Sequence, residues 1–246
     1  MAPVAQVARV ARVVSLVPSI TETLLAWGVA PVAVTRFCEA PGLPTAGGTK
    51  NPDVAAIVAL APEVVVMDTE ENRADDAEAL RAAGLVVHAT CVRSLEDVAP
   101  ALEALAGAIG RPSPTVAATP PAAPAPAPAG RTNAPRAWVP IWRRPWMSIG
   151  GDTYGSSILA AAGIANVGAG AADRYPTMTL SEATQLRPDV VLAPSEPYRF
   201  AERHRAELAT VAPVVFVDGQ DLFWWGSRTP AALARLRELA ATLPGR

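Results

Sequence analysis

Cysteine, histidine, lysine and long apolar runs are all scarce in this 246-residue chain, and each scarcity removes a class of function. The two cysteines, Cys38 and Cys91, form neither a C-x-x-C pair nor a disulfide framework and are read as buried thiols. The two histidines, His88 and His204, leave few bases for a serine or cysteine triad and count against a metal site built from several imidazoles. They read as ordinary side chains, His88 within a strand and His204 on a charged helix. Lys50 is the only lysine beside 20 arginines, a coding bias that strips each Arg-for-Lys choice of meaning. A net charge of −2 with 50% hydrophobic residues argues against disorder and against a polyanion-binding surface, so no nucleic-acid partner is expected. No apolar run approaches the ~18 residues of a membrane span. Met1 to Arg12 carries Arg9 and Arg12 but no continuous apolar segment ahead of a small-residue cleavage site, so no secretory signal is read there.

Nucleotide and hydrolase signatures are missing too. The turn Val17-Pro18-Ser19-Ile20-Thr21 has no G-x-G-x-x-G, Gly47-Gly48-Thr49-Lys50 is not a Walker loop, and no G-x-S-x-G elbow occurs. No catalytic residue, metal ligand or cofactor is expected.

Proline, by contrast, is concentrated. Eight of the 25 prolines fall in 112–135, a Pro/Ala-rich linker whose composition cannot pack a core. It separates an N-terminal α/β lobe (10–93) and a helix (94–111) from a C-terminal α/β lobe (136–246). The predicted strands are Val10–Val17, Val32–Thr35, Val64–Met67 and Leu85–Ala89. The predicted helices begin at a Ser19/Glu22 capping box and stop at Gly28, then cover Asn51–Leu60, Asp75–Ala83 and Ser94–Ile109, with Pro100 kinking the last or marking its true start. This alternation predicts parallel sheets flanked by helices. The second half repeats the first: Leu60-x-Pro62-Glu63-Val64-Val65-Val66 matches Leu186-x-Pro188-Asp189-Val190-Val191-Leu192 at an offset of 126, Gly28-Val29 answers Gly163-Ile164, and Val86-Val87 answers Val214-Val215. Two such lobes facing at the carboxyl ends of their strands would form a ligand cleft.

Binding chemistry is densest in WVPIWRRPWMSIGGD, Trp138 to Asp152, which holds three of the six tryptophans. Trp142, Trp146, Arg143 and Arg144 suit a large, flat, partly anionic ligand through stacking, cation–π contact and charge-assisted hydrogen bonds, against the plainer reading of packing. Asp221, Trp224, Trp225 and Arg228 follow the last strand, again at a carboxyl end. In the first lobe the corresponding positions are Pro18, Ser19 and Phe37, with Glu70 and Glu71 read as solvated loop carboxylates.

RVVSLVPSITETLLAWG, N-P-D-x-x-x-I-x-x-L-x-P-E-V-V-V and A-x-G-L-V-V resemble the periplasmic vitamin B12-binding proteins and related iron-siderophore receptors of ABC importers, the class with a helical backbone between its lobes. PIWRRPWMSIGGDTYGSSIL, RYP, SEPYRF and WWGSRT are similar to its helical-backbone metal-receptor branch, and Tyr154 joins the candidate ligand residues on that segment. The resemblance implies binding without catalysis: a monomer that captures a corrinoid or ferric siderophore in its cleft outside the cytoplasm and delivers it to a permease. It places Phe37 and Trp146 against the ligand, Asp221 near it, and Asp68 where that family has a tryptophan. It also implies acidic contacts to the permease, for which Glu71, Asp75 and Glu202 stand nearest. The family's interlobe helix is shortened here by the Pro/Ala segment. A cytoplasmic two-lobed α/β enzyme or corrinoid-handling protein of the same fold is the alternative, and an interaction module with a degenerate cleft is a third.

Overall fold

In the computed structural model, residues 11–111 and 134–244 are described; the linker expected over 112–135 falls, but for its last two residues, outside them. The described residues divide into two compact units, one of residues 11–91, 97–111 and 225–227, the other of 92–96, 134–224 and 228–244.

The N-terminal unit runs β1 (Val13–Ser15), α1 (Pro18–Ala26), β2 (Ala33–Val34), the antiparallel pair β3 (Gly47–Gly48) and β4 (Asn51–Pro52), α2 (Val54–Leu60), β5 (Val64–Asp68), α3 (Ala74–Ala82), β6 (Val87–Thr90) and α4 (Val98–Ala108). Its four-stranded sheet has the order β2-β1-β5-β6 with every pairing parallel. All five residues of β5 are buried, which is why its sequence is a continuous apolar run rather than an alternation. Val14, Leu16, Ile57, Val65, Met67 and Leu80 form the core beside it.

The C-terminal unit repeats this plan with β7 (Arg136–Trp138), the hairpin β8 (Pro140–Trp142) and β9 (Met147–Ser148), α5 (Tyr154–Ala161), β10 (Ala165–Asn166), α6 (Leu180–Gln185), β11 (Val190–Pro194), α7 (Arg205–Leu208), β12 (Val214–Val217), α8 (Gly219–Phe223) and α9 (Thr229–Thr242). The strand order is β10-β7-β11-β12, again parallel. Strands β5 and β11 begin at Val64 and Val190, at the offset of 126 seen in the sequence. The third match moves by one residue: Val87 pairs with Val65 and Val214 with Val191, so Val87, not Val86, is the counterpart of Val214.

Both first helices end alike. Gly28 and Gly163 take φ of 74° and 83°; each donates to the carbonyl of Leu25 or Ala160, while the next residue, Val29 or Ile164, donates to that of Leu24 or Leu159. This is a Schellman ending, and only the left-handed backbone closes it. A Cβ at either glycine would meet nothing within 4 Å, so Gly28→Ala and Gly163→Ala should each cost only the backbone penalty, about 1 kcal/mol, read as a lower urea midpoint.

Helix starts differ from the sequence reading. α1 begins at Pro18, with Val17 as a cap residue that makes no side-chain bond, and Ser19 lies buried inside the first turn, so the expected Ser19/Glu22 capping box does not form. Proline at the first helical position presets φ and lacks an N–H that would have had no helical partner, which fixes the cap at Val17, two residues before the expected Ser19. The reciprocal box is found instead at Thr179 and Glu182, opening α6. Asn51-Pro52 is strand rather than helix because Asp53 caps α2, accepting the Ala56 N–H at 2.9 Å. α4 starts at Val98, with Pro100 in its first turn where an N–H is not needed. Cys91 is exposed and Cys38 half-buried, both as free thiols, where two buried ones were expected. Among the described residues no helix is long and apolar enough to cross a membrane.

Candidate functional site

Three loops of the C-terminal unit leave the carboxyl ends of neighbouring strands: the β8–β9 hairpin after β7, residues 195–204 after β11, and α8 after β12. This is the edge at which open parallel sheets hold ligands. The hairpin is anchored by Ser148, whose hydroxyl donates to the Val139 carbonyl at 2.9 Å and whose N–H donates to Pro176. Its tip carries Arg143, Arg144, Pro145 and Trp146, with Arg144 at φ 72°.

The three tryptophans of β7 and the hairpin have three fates. Trp138, on β7, is fully buried among Val191, Ala193, Phe200 and Leu208. Trp146 is half-buried, stacked on Phe200 at 6.0 Å with 7° between the planes and tilted against Trp138 at 5.9 Å. Trp142 is 45% exposed, and its only ring neighbour among the described residues is Tyr198, which meets it edge-on at 5.6 Å. Tyr198 in turn packs on Phe200 at 4.8 Å. Arg143 is tied to Glu207 at 2.8 Å and lies 6.0 Å from the Trp146 ring; Arg144 is exposed beside it. Trp142, Arg143, Arg144 and Trp146 therefore share one cluster, with one indole face open.

The remaining second-half candidates form a separate, largely buried cluster. The buried Asp221 carboxylate takes two hydrogen bonds from Arg235, at 2.6 and 2.7 Å, and a longer one from Arg228 at 3.4 Å. Burial pushes its pKa up, but the bonds and charges of these arginines outweigh it and hold the carboxyl below its ordinary value. Arg228 also lies 5.4 Å over the buried Trp224 and reaches Asp218 at 3.7 Å. Tyr154 is buried with its hydroxyl 3.0 Å from Thr229 Oγ1, and burial raises its pKa despite that bond.

In the N-terminal unit, Pro18 and Ser19 are buried at the start of α1. Phe37, after β2, is 54% exposed, with the Arg36 guanidinium 4.9 Å over its ring, an open cation–π pair at the carboxyl edge of that sheet. Trp225, which belongs to this unit, is buried. Glu70 and Glu71 are half-buried rather than solvated. Burial, then the charges of Asp68 and Glu70, push Glu71 up to about 6 against the opposing charge of Lys50. Asp68 is itself buried, accepting from Thr90 Oγ1 at 2.7 Å and the Glu70 N–H at 2.9 Å. A groove of about 180 Å³ opens beside α3, lined by Met67, Asp68, Asn72, Arg73, Glu78 and Arg81, with no aromatic side chain. Asp75, in the first turn of α3, and Glu202 are exposed and, among the described residues, pair with near neighbours, Arg73 at 3.1 Å and Arg205 at 2.6 Å.

Sequence reasoning left Tyr198, Phe200 and His204 out of the site. The available signal was position: Pro-Tyr-Arg-Phe follows the carboxyl end of β11, the same edge as the hairpin.

No protein-family model matches the chain, and no curated protein matches it significantly. Solved structures do. The apo periplasmic heme-binding protein RhuT from Roseiflexus sp. RS-1 superposes with a TM-score of 0.78 at 23% identity, covering 95% of this chain and 98% of that one. The periplasmic vitamin B12-binding protein BtuF of Vibrio cholerae gives 0.73 at 19% identity over 94% and 98%. An ABC transporter substrate-binding protein from Listeria monocytogenes EGD-e gives 0.70 at 15% identity over 94% and 99%. Over nearly its whole length, the chain has the α/β fold of these binding proteins.

Proposed function

We propose that the chain is the extracytoplasmic solute-binding component of an ABC importer, and that it captures a large metal chelate, a corrinoid, a planar tetrapyrrole or a ferric siderophore. The observation that carries this reading is Trp142: an indole 45% exposed, meeting Tyr198 at a steep angle, on a hairpin at the carboxyl edge of a parallel sheet whose tip also carries Arg143, bound to Glu207, and the exposed Arg144. Leaving so large an apolar ring open to water is unfavourable unless a ligand covers it, and neighbouring guanidinium groups suit peripheral acidic groups. Phe37 under Arg36 offers a similar platform in the N-terminal unit. Exposed Asp75 and half-buried Glu71 in the N-terminal unit, and exposed Glu202 in the C-terminal unit, are each assigned to contacts with the permease, where their carboxylates would meet basic groups.

The test is tryptophan fluorescence titration with hemin, cyanocobalamin and a panel of ferric siderophores. At least one is expected to quench. Trp142→Ala should weaken that probe about tenfold, the loss of one aromatic stacking partner with its buried area, while leaving stability within ~0.5 kcal/mol. Trp146→Ala should also weaken it but with a clear loss of stability, because Trp146 supports Phe200 and Trp138. Silence from every probe would overturn the proposal.

A further inference from the structure

His204 lies beneath the aromatic face rather than on it, 4% exposed, and both of its ring nitrogens are engaged. Nδ1 accepts the backbone N–H of Ala201 at 3.1 Å, and Nε2 lies 3.3 Å from the Tyr198 hydroxyl. A nitrogen that accepts carries no proton, so the neutral ring is protonated at Nε2 and donates to Tyr198 Oη. For the short 3-10 turn Glu202–His204 the imidazole does what a glutamate does in a capping box, reaching back to the N–H that precedes the turn. Tyr198 and Phe200, the rings that touch Trp142 and Trp146, both rest on His204, at 5.5 and 5.6 Å.

We infer that His204 is a positioning residue for this face, holding Tyr198 and Phe200 against the hairpin only while its ring is neutral, so that acidification frees Trp142 from its edge-on partner. The inference rests on the reading of the hairpin as the ligand surface. Protonating Nδ1 would set an N–H against the Ala201 N–H, two donors with no acceptor between them, and the ring must turn away from both partners. Every charged group around it is accounted for. Arg143 from the hairpin and Arg203 on the same turn disfavour an imidazolium; Glu207 from α7 favours one but is bound to Arg143; Arg205 is held by Glu202 and the Val214 carbonyl. Burial is the larger effect, and together they hold the imidazole below its ordinary 6.5. A histidine whose folded pKa is depressed contributes stability that is full above the unfolded value and fades as pH falls from 6.5 toward the folded value, whereas the neutral ring and its two hydrogen bonds persist in the folded protein until pH falls through the folded value itself.

The chain has only two histidines, so imidazole nitrogen NMR on the full protein, with His88→Asn identifying the second signal, reads His204 directly. Expected are the Nε2–H tautomer at about pH 7.5, titration below the free value, and a Trp142 indole N–H signal that moves with the same midpoint. His204→Asn should abolish that movement, and Tyr198→Phe, which keeps the imidazole but cuts the hydroxyl link, should uncouple Trp142 from a histidine that still titrates. With cyanocobalamin as the probe, affinity should fall about threefold or more between about pH 7.5 and a pH below the His204 midpoint read by NMR, a ratio that returns to near one in His204→Asn. A Trp142 signal that stays still while pH passes through the measured His204 midpoint, or that titrates unchanged in His204→Asn, would overturn the inference. If cyanocobalamin fails to quench while Trp142 still follows His204, the choice of ligand fails and the positioning role stands.

Discussion

Trp138→Ala should destabilise the C-terminal unit by about 3–5 kcal/mol, whereas Trp142→Ala, four residues along the same segment, should leave stability nearly unchanged. Trp138 is fully buried and packs on β11 through Val191 and Ala193, on Phe200, and on Leu208 of α7. Removing it opens a cavity against two elements that reach the site from later in the chain, and neither can collapse into it without breaking the β7–β11 pairing. The indole N–H of Trp138 has no hydrogen-bond partner among the described residues. Trp138→Phe therefore removes an unpaired donor along with some volume, and the two effects oppose each other. That variant should lose less than about 1.5 kcal/mol. Chemical unfolding followed by circular dichroism separates the two substitutions. A Trp138→Ala protein as stable as the wild type would mean that this indole is not the centre of the unit's core. Because Phe200 packs on both Trp138 and Trp146, the cavity should also disturb the stack behind Trp142 and weaken ligand quenching indirectly. Comparing the two alanine variants distinguishes losing the contact from losing its support.

That one tryptophan is core and another is surface was not legible locally. Both occur in one run of apolar and aromatic residues, and the aromatic partners that separate them, Tyr198 and Phe200, come from the loop after β11, more than 50 residues away in sequence. The strands themselves were readable, because a strand buried on both faces must be continuously apolar, and Val64-Val65-Val66-Met67 and Val190-Val191-Leu192-Ala193 are. Gly28 and Gly163 could be read as helix stops because a left-handed residue after a helix favours glycine. Capping was not so readable: Ser19/Glu22 and Thr179/Glu182 present the same four-residue pattern, and Pro18 alone decides that the first is inside a helix and the second opens one. Tyr154 entered the candidate ligand residues through the resemblance of its segment. The structure makes it the first residue of α5, turned to Thr229 some 75 positions later, a pairing no local pattern announces.

Asp221→Ala is the second large effect, expected to cost about 2 kcal/mol. Loss of one partner from a buried ion pair usually costs more, but here Arg235 keeps about half its surface in water and Arg228 retains Asp218, so the stranded charges are partly solvated. The geometry is strong all the same: the two bonds from Arg235 join a planar fork to a carboxylate whose side chain is 7% exposed. A double-mutant cycle with Arg235→Met should give a coupling energy of about 1.5–3 kcal/mol. The pH dependence has a definite sign. Arg235 and Arg228 hold the folded carboxyl below its ordinary 3.8, so its stabilisation is present above that value and disappears as pH falls through the folded value. The gap between wild type and Asp221→Ala should therefore be constant from neutrality down to about pH 4 and close below it. A gap that persists in strong acid would mean that lost packing, rather than lost charge, accounts for the cost. Since the carboxylate is occupied by two arginines, Asp221→Ala should alter ligand affinity only as far as it loosens α8 and α9; a tenfold loss of quenching without a fall in stability would instead make Asp221 a direct ligand contact.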